Sequence, residues 1–273
     1  MPTLPARPPD SGSEPHQQRQ VAESFGADAG RYDRTRPSYP ADLVDRIVAE
    51  SPGHDVLDVG CGTGIATRQF QAAGCQVLGI DADARMAELA RQNGFAVEVA
   101  MFEDWRSGGR EFDAVIAAQS WHWVDPVAGA AKAAQVLRPG GRLALFWNVS
   151  QLPAGLAEAF SAVYREVLPD KPVYHRAVPG LVLYSGTFSK AADGMRQAGG
   201  FGESEQWQFA WERRYPRAEW LDQLATFGGH SQLPPATLAE LQAGIGAAID
   251  GVGGSFTMEY VAVVVTGVRL GRP

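Results

Sequence analysis

The chain has 273 residues, of which 45% are hydrophobic, and two cysteines, so it can bury a full core without a disulfide framework or a zinc knuckle. A net charge of −7 opposes a polyanionic partner such as nucleic acid, and the small basic cluster Arg213, Arg214 and Arg217 reads as a solvated patch. No apolar run approaches the roughly 18 residues of a membrane span, and the first residues lack the basic-then-apolar pattern of a secretory leader, so cytoplasmic residence is the expectation.

In chain order, residues 1 to about 20 hold five of the eighteen prolines and few large apolar groups, which predicts a disordered tail. A domain over 21–273 follows. Its first stretch contains Tyr32, Arg36, Tyr39 and Pro40, and an amphipathic helix is expected from Ala41 to Glu50. The apolar run Asp55–Val59 then ends abruptly in Gly60, Gly62 and Gly64, with a helical pattern from Ile65 to about Ala73. That is a buried strand, a tight turn and a helix. Glycine accepts positive φ and lets a ligand lie on bare backbone, while helix N-terminal amides offer donors. Val77–Ile80 is a second strand ending in Asp81, an acid placed where its oxygens can accept both hydroxyls of a ribose. A dinucleotide fingerprint would need a third glycine where Ile65 stands.

Asp58, Gly60, Gly62, Gly64 and Asp81 at this spacing resemble motif I and the ribose acid of the class I S-adenosylmethionine-dependent methyltransferases. The resemblance implies an α/β, Rossmann-like fold with a seven-stranded, mostly parallel sheet whose last strand runs antiparallel. It also implies S-adenosyl-L-methionine as cofactor and S-adenosyl-L-homocysteine as product. The segment around Tyr32 and Arg36 is similar to one in small-molecule methyltransferases related to trans-aconitate methyltransferase, where it lies near the methionine carboxylate. Tyr32 and Tyr39 are equally explained as residues packing a helix on the sheet.

Downstream, Ala84–Gln92 is a predicted helix, and Met86 on it resembles the family's methionine over the adenine while also fitting a plain core position. A third strand over Phe95–Ala100 leads to Phe102, Glu103 and Asp104, candidates for the adenine end of the site. The apolar run Phe112–Ala118 predicts a fourth strand buried on both faces, and its tip carries Gln119, Trp121, His122 and Trp123. Gln119 joins the cofactor candidates. His122 can act as a general base, or can instead orient Trp123 or bind the cofactor's carboxylate. A turn at Arg138–Arg142 leads into strand five, Leu143–Trp147. Beyond it a helix over Ala154–Val167 and a proline-rich stretch with His175 and Tyr184 predict an insertion over 149–187 that caps the site with residues 21–40. Helices are expected over Ser189–Gln197 and within 217–249, with late strands over Glu205–Glu212 and Phe256–Arg269. Trp123, Trp147, Tyr39 and His175 are the candidate substrate contacts, and no metal site is expected.

These features point to methyl transfer to an oxygen, sulfur or carbon nucleophile of a small-molecule metabolite, by a monomer or homodimer that uses neither nucleic acid nor a membrane. A catalytically silent binder of the same cofactor and an NAD-dependent dehydrogenase are the alternatives.

Overall fold

The computed structural model describes residues 24–171, 174–175 and 178–271. The expected tail, residues 1–20, lies outside the described residues. Seven strands form one sheet in the order β3-β2-β1-β4-β5-β7-β6: β1 Asp55–Val59, β2 Gln76–Asp81, β3 Ala96–Val99, β4 Phe112–Ala118, β5 Leu137–Gln151, β6 Glu205–Pro216 and β7 Ser255–Val268. Strands β1 to β5 pair in parallel, and the β7–β6 pair closes the far edge with antiparallel strands. Val56, Leu57 and Val115 to Ala117 at its centre are almost fully buried, as a parallel sheet covered on both faces requires.

The helices are α1 Ala29–Thr35, α2 Ala41–Ala49, α3 Ile65–Ala72, α4 Ala84–Gln92, α5 Pro126–Val136, α6 Ala154–Val167, α7 Gly180–Ala198, α8 Arg217–Leu224 and α9 Pro235–Asp250. Among the described residues no helix is long and apolar enough to cross a membrane.

The chain divides into two compact units. One combines residues 37–148, 185–209 and those from Ala262 on, and it contains β1 to β4 with their crossover helices. The other gathers the described residues of 24–36, 149–184 and 210–261, the segments grouped above as a cap and the later helices. Its own core is a cluster of Phe160, Tyr164, Tyr215, Trp220, Leu241, Ile245, Phe256 and Met258, all nearly solvent-free. The Tyr215 and Tyr260 hydroxyls meet at 2.7 Å inside it, which lets two phenols be buried without losing their hydrogen bonds.

Several boundaries differ from the sequence expectation, among them the end of β6, which runs to Pro216 and not Glu212. α7 begins at Gly180, nine residues before the expected Ser189, so Tyr184 is helical and not part of a loop. Gly180, Gly186 and the β-branched Val182 weaken the local helix signal. The spacing of the buried residues Tyr184, Phe188, Ala191 and Met195 overrides it, because it places one continuous stripe against the interior. Strand β5 also runs through the expected turn, pairing Leu137 with Phe112 and then Arg142 with Ala114 across an irregularity in register.

Candidate active site

The site elements meet at the carboxyl ends of β1, β2 and β4, all within the first unit. The three glycines of the turn after β1 have positive φ, at 67°, 57° and 91°. Their missing side chains serve different ends. A Cβ on Gly60 would come within 2.5 Å of the Ser120 Cβ, and Ser120 Oγ donates to Val59 O at 2.5 Å, so Gly60 lets the β4 tip press onto the β1 tip. A Cβ on Gly64 would run into the Phe95 ring. At Gly62 the nearest atom is Met86 Cε at 3.5 Å, so only here does the turn leave an open cradle.

Four of the turn's amides, those of Gly60, Cys61, Gly62 and Gly64, bond within the chain. Gly60 N and Cys61 N donate to Ile80 O, at 2.7 and 3.0 Å, and Gly64 N donates to Cys61 O at 2.9 Å. Gly62 N donates to Asp81 Oδ2 at 2.8 Å, while Asp83 N donates to Asp81 Oδ1 at 2.8 Å. Asp81 therefore ties the glycine turn to the start of α4 and retains further lone pairs on both oxygens. Burial raises its pKa to about 6, against the lowering effect of those two amides.

Asp58 is fully buried beneath the turn. Its Oδ2 accepts from Thr67 Oγ1 at 2.7 Å, and its Oδ1 has no partner among the described residues. Burial lifts its pKa to about 7, with the Thr67 bond opposing and the Asp81 charge adding. Met86 is buried on α4, so it serves the core and closes the Gly62 cradle together. Phe102 is buried with its ring 6.2 Å from that of Trp121. Glu103 Oε1 accepts from Asp125 N at 2.9 Å, leaving Oε2 buried and without a partner among the described residues.

Gln119 is the non-glycine residue with positive φ among those described, at 58°. The conformation costs about 1–2 kcal/mol and is held from both sides. Its backbone N donates to Phe146 O at 2.8 Å, and its Oε1 accepts from Asn148 N at 2.9 Å. Next to it, Trp121–Trp123 forms a single 3-10 turn. His122 is buried, with its ring 4.8 Å from that of Trp123. Trp147 Nε1 donates to His122 Nδ1 at 3.4 Å. An indole nitrogen is a donor only, so Nδ1 is the acceptor and the neutral ring carries its proton on Nε2. Nε2 is itself buried without a partner among the described residues. Burial drives the ring's pKa down to about 3.

Of the expected substrate contacts, Trp123 and Trp147 thus bracket His122, and Trp147 also packs 5.5 Å from Phe188. Tyr39 sits edge-on to Phe146 at 4.8 Å, with its backbone bonded in both directions to the Gln69 amide. Tyr32, Arg36 and His175 belong to the other unit. There the Arg36 guanidinium donates to Thr226 O and Oγ1, at 2.6 and 3.1 Å, and lies over the rings of Tyr32 and Phe227 at 4.7 and 5.0 Å. His175 Nε2 donates to Leu168 O at 2.9 Å. Sequence reasoning gave no part to Ser120 or Asp83. Ser120 stands two places after a buried strand, and only its contact with Gly60 reveals its part.

Comparison with known proteins agrees with the fold. Residues 57–145, from β1 into β5, match the family described as a methyltransferase domain, type 11. The chain has the class I methyltransferase fold. An uncharacterized methyltransferase of Mycobacterium tuberculosis is 39% identical over 133 residues, covering 48% of this chain and 54% of its own length. A demethylmenaquinone methyltransferase of Tropheryma whipplei is 31% identical over 141 residues, covering 45% of this chain and 57% of its own. The chain thus spans about half the length of the curated relatives it matches. A solved structure from Anaeromyxobacter dehalogenans, assigned as a type II methyltransferase, superposes with a TM-score of 0.64 at 23% identity, covering 87% of this chain and 99% of the other. At that identity the likeness speaks for the fold alone.

Proposed function

We propose that this methyltransferase uses S-adenosyl-L-methionine to methylate an oxygen, sulfur or carbon nucleophile of a small molecule. The observation that carries the reading is the open cradle at Gly62, floored by backbone, walled by Met86 and flanked by Asp81. A methyl on Gly62 would intrude on it, 3.5 Å from Met86 Cε. Asp81 keeps lone pairs for a diol, and Glu103 Oε2 is a buried acceptor that an exocyclic amine would satisfy. Phe102 and Met86 supply the apolar surface that a purine ring needs.

When bound, the cofactor supplies an electrophilic methyl group on a sulfonium sulfur. The chain's own part is binding and orientation. Asp81 and the Gly62 cradle would fix the nucleoside, and Gln119, locked in its left-handed conformation by Asn148 and Phe146, would hold the floor of the site at the β4 tip. The Trp123 and Trp147 rings would exclude water and fix the acceptor. Orientation of this kind lowers a barrier by several kcal/mol without any proton transfer. The acidic net charge of the chain favours a small-molecule substrate over a nucleic acid.

The test is transfer of labelled methyl from S-adenosylmethionine to a panel of carboxylic acids, phenols, thiols and activated carbon acids. Label recovered on one of them supports the proposal. Tight cofactor binding with no acceptor across the panel points instead to a binding protein.

A further inference from the structure

We infer that His122 is a hydrogen-bond donor, presenting Nε2–H to an unprotonated oxygen of the bound small molecule, and not a base that removes a proton from it. Two observations carry this. The Nδ1 lone pair is occupied by Trp147 Nε1–H, so the ring's remaining polar atom is a proton donor. That donor is buried, in a residue only 8% exposed, and has no partner among the described residues. An unmet buried donor costs on the order of 1–3 kcal/mol, so an acceptor that supplies the missing bond is favoured over one that does not. The shielding of the ring from water acts in the same direction, because it holds the imidazole neutral throughout the working pH range.

The consequence is a statement of substrate class. A carboxylate, a phenolate, an enolate or a carbonyl oxygen satisfies Nε2–H, whereas an ammonium group would set two donors against each other. Trp147 is then a positioning residue that acts through His122 by fixing which nitrogen holds the proton. This reading of the occupant rests on the proposed methyltransferase activity, while the proton's place on the ring does not.

The experiment is long-range proton–nitrogen NMR of the full chain carrying nitrogen-labelled histidine, with the His122 signals assigned by their loss in His122→Gln. The expected ring is protonated at Nε2 only and unchanged between about pH 5 and about pH 8. Trp147→Phe should release Nδ1 and give a mixture of tautomers. A ring that titrates near its ordinary pKa, or one protonated at Nδ1, overturns the inference. In protein saturated with S-adenosylhomocysteine, benzoate should shift the Nε2–H signal and benzylamine should not. A shift with benzylamine, or with neither, removes the assignment to an oxygen acceptor. His122→Phe should keep its affinity for S-adenosylhomocysteine; a tenfold loss in the folded variant would place the donor against the cofactor and contradict the inference. If the unaltered protein does not bind S-adenosylhomocysteine at all, the methyltransferase proposal fails while the tautomer result stands.

Discussion

Asp81 ties the glycine turn to the start of α4 and is also the proposed ribose acceptor. Its two oxygens accept the amides of Gly62 and Asp83, so Asp81→Ala leaves two backbone donors stranded as well as removing a candidate ribose acceptor. The variant is expected to lose about 2 kcal/mol or more of stability along with at least tenfold in cofactor affinity. Asp81→Asn, which keeps one acceptor oxygen, should recover part of both. Thermal melts and cofactor titrations measured side by side check this, and an Ala variant as stable as the parent would contradict the bonding described. The buried titratable groups give a second expectation. Asp58 and Asp81, with pKa values raised to about 7 and about 6, hold protons in the folded chain that the unfolded chain has released, so their contribution to stability falls as pH rises from about 4 to about 7. His122 and His230, lowered by burial to about 3 and about 4, stay neutral where the unfolded chain takes up protons, so theirs rises over the same range. Asp58→Asn removes one falling contribution. It should therefore gain on the parent as pH goes from about 5 to about 8, read as a widening difference in denaturant midpoint; parallel profiles would count against the raised pKa.

At the scale of elements, the glycine turn separates into parts that mutation can tell apart. Gly62→Ala meets only Met86 Cε at 3.5 Å, so its cost is the left-handed backbone, about 1–2 kcal/mol, and its methyl intrudes on the cradle. Gly64→Ala drives a methyl into Phe95 besides straining the backbone at φ 91°. The expected pattern is a larger loss of cofactor affinity in Gly62→Ala and a larger loss of melting temperature in Gly64→Ala. The reverse order would relocate the cradle. This turn was legible in the sequence because glycine spacing, strand and helix are all local signals. The start of α7 was not, because its stripe of Tyr184, Phe188, Ala191 and Met195 outweighs poor local propensity only once there is an interior to bury it. Nor was the proton position on His122, which depends on a donor 25 residues away. Arg36 is a similar case: its partner Thr226 lies 190 residues along the chain, beyond the reach of any local pattern.

For the whole molecule, the alternation of apolar strands and amphipathic helices was legible as successive strand–helix units, while the seven-stranded sheet with its antiparallel last strand was what the family resemblance implied. The second unit has its own aromatic core around Trp220, which stacks near Phe160 and meets Tyr215, Phe227 and Phe256 edge-on. Trp220→Ala should cost about 3–5 kcal/mol, visible as a lowered denaturation midpoint, and a change under about 1 kcal/mol would mean this core is not packed as described. The central claim is that the crevice at the ends of β1, β2 and β4 holds S-adenosylmethionine. Isothermal titration of the full chain with S-adenosylhomocysteine and, separately, with NAD tests it most directly. The account predicts saturable binding of S-adenosylhomocysteine that Gly62→Ala weakens at least tenfold, and no binding of NAD. Binding of NAD alone, or of S-adenosylhomocysteine with unchanged affinity in that variant, would contradict it.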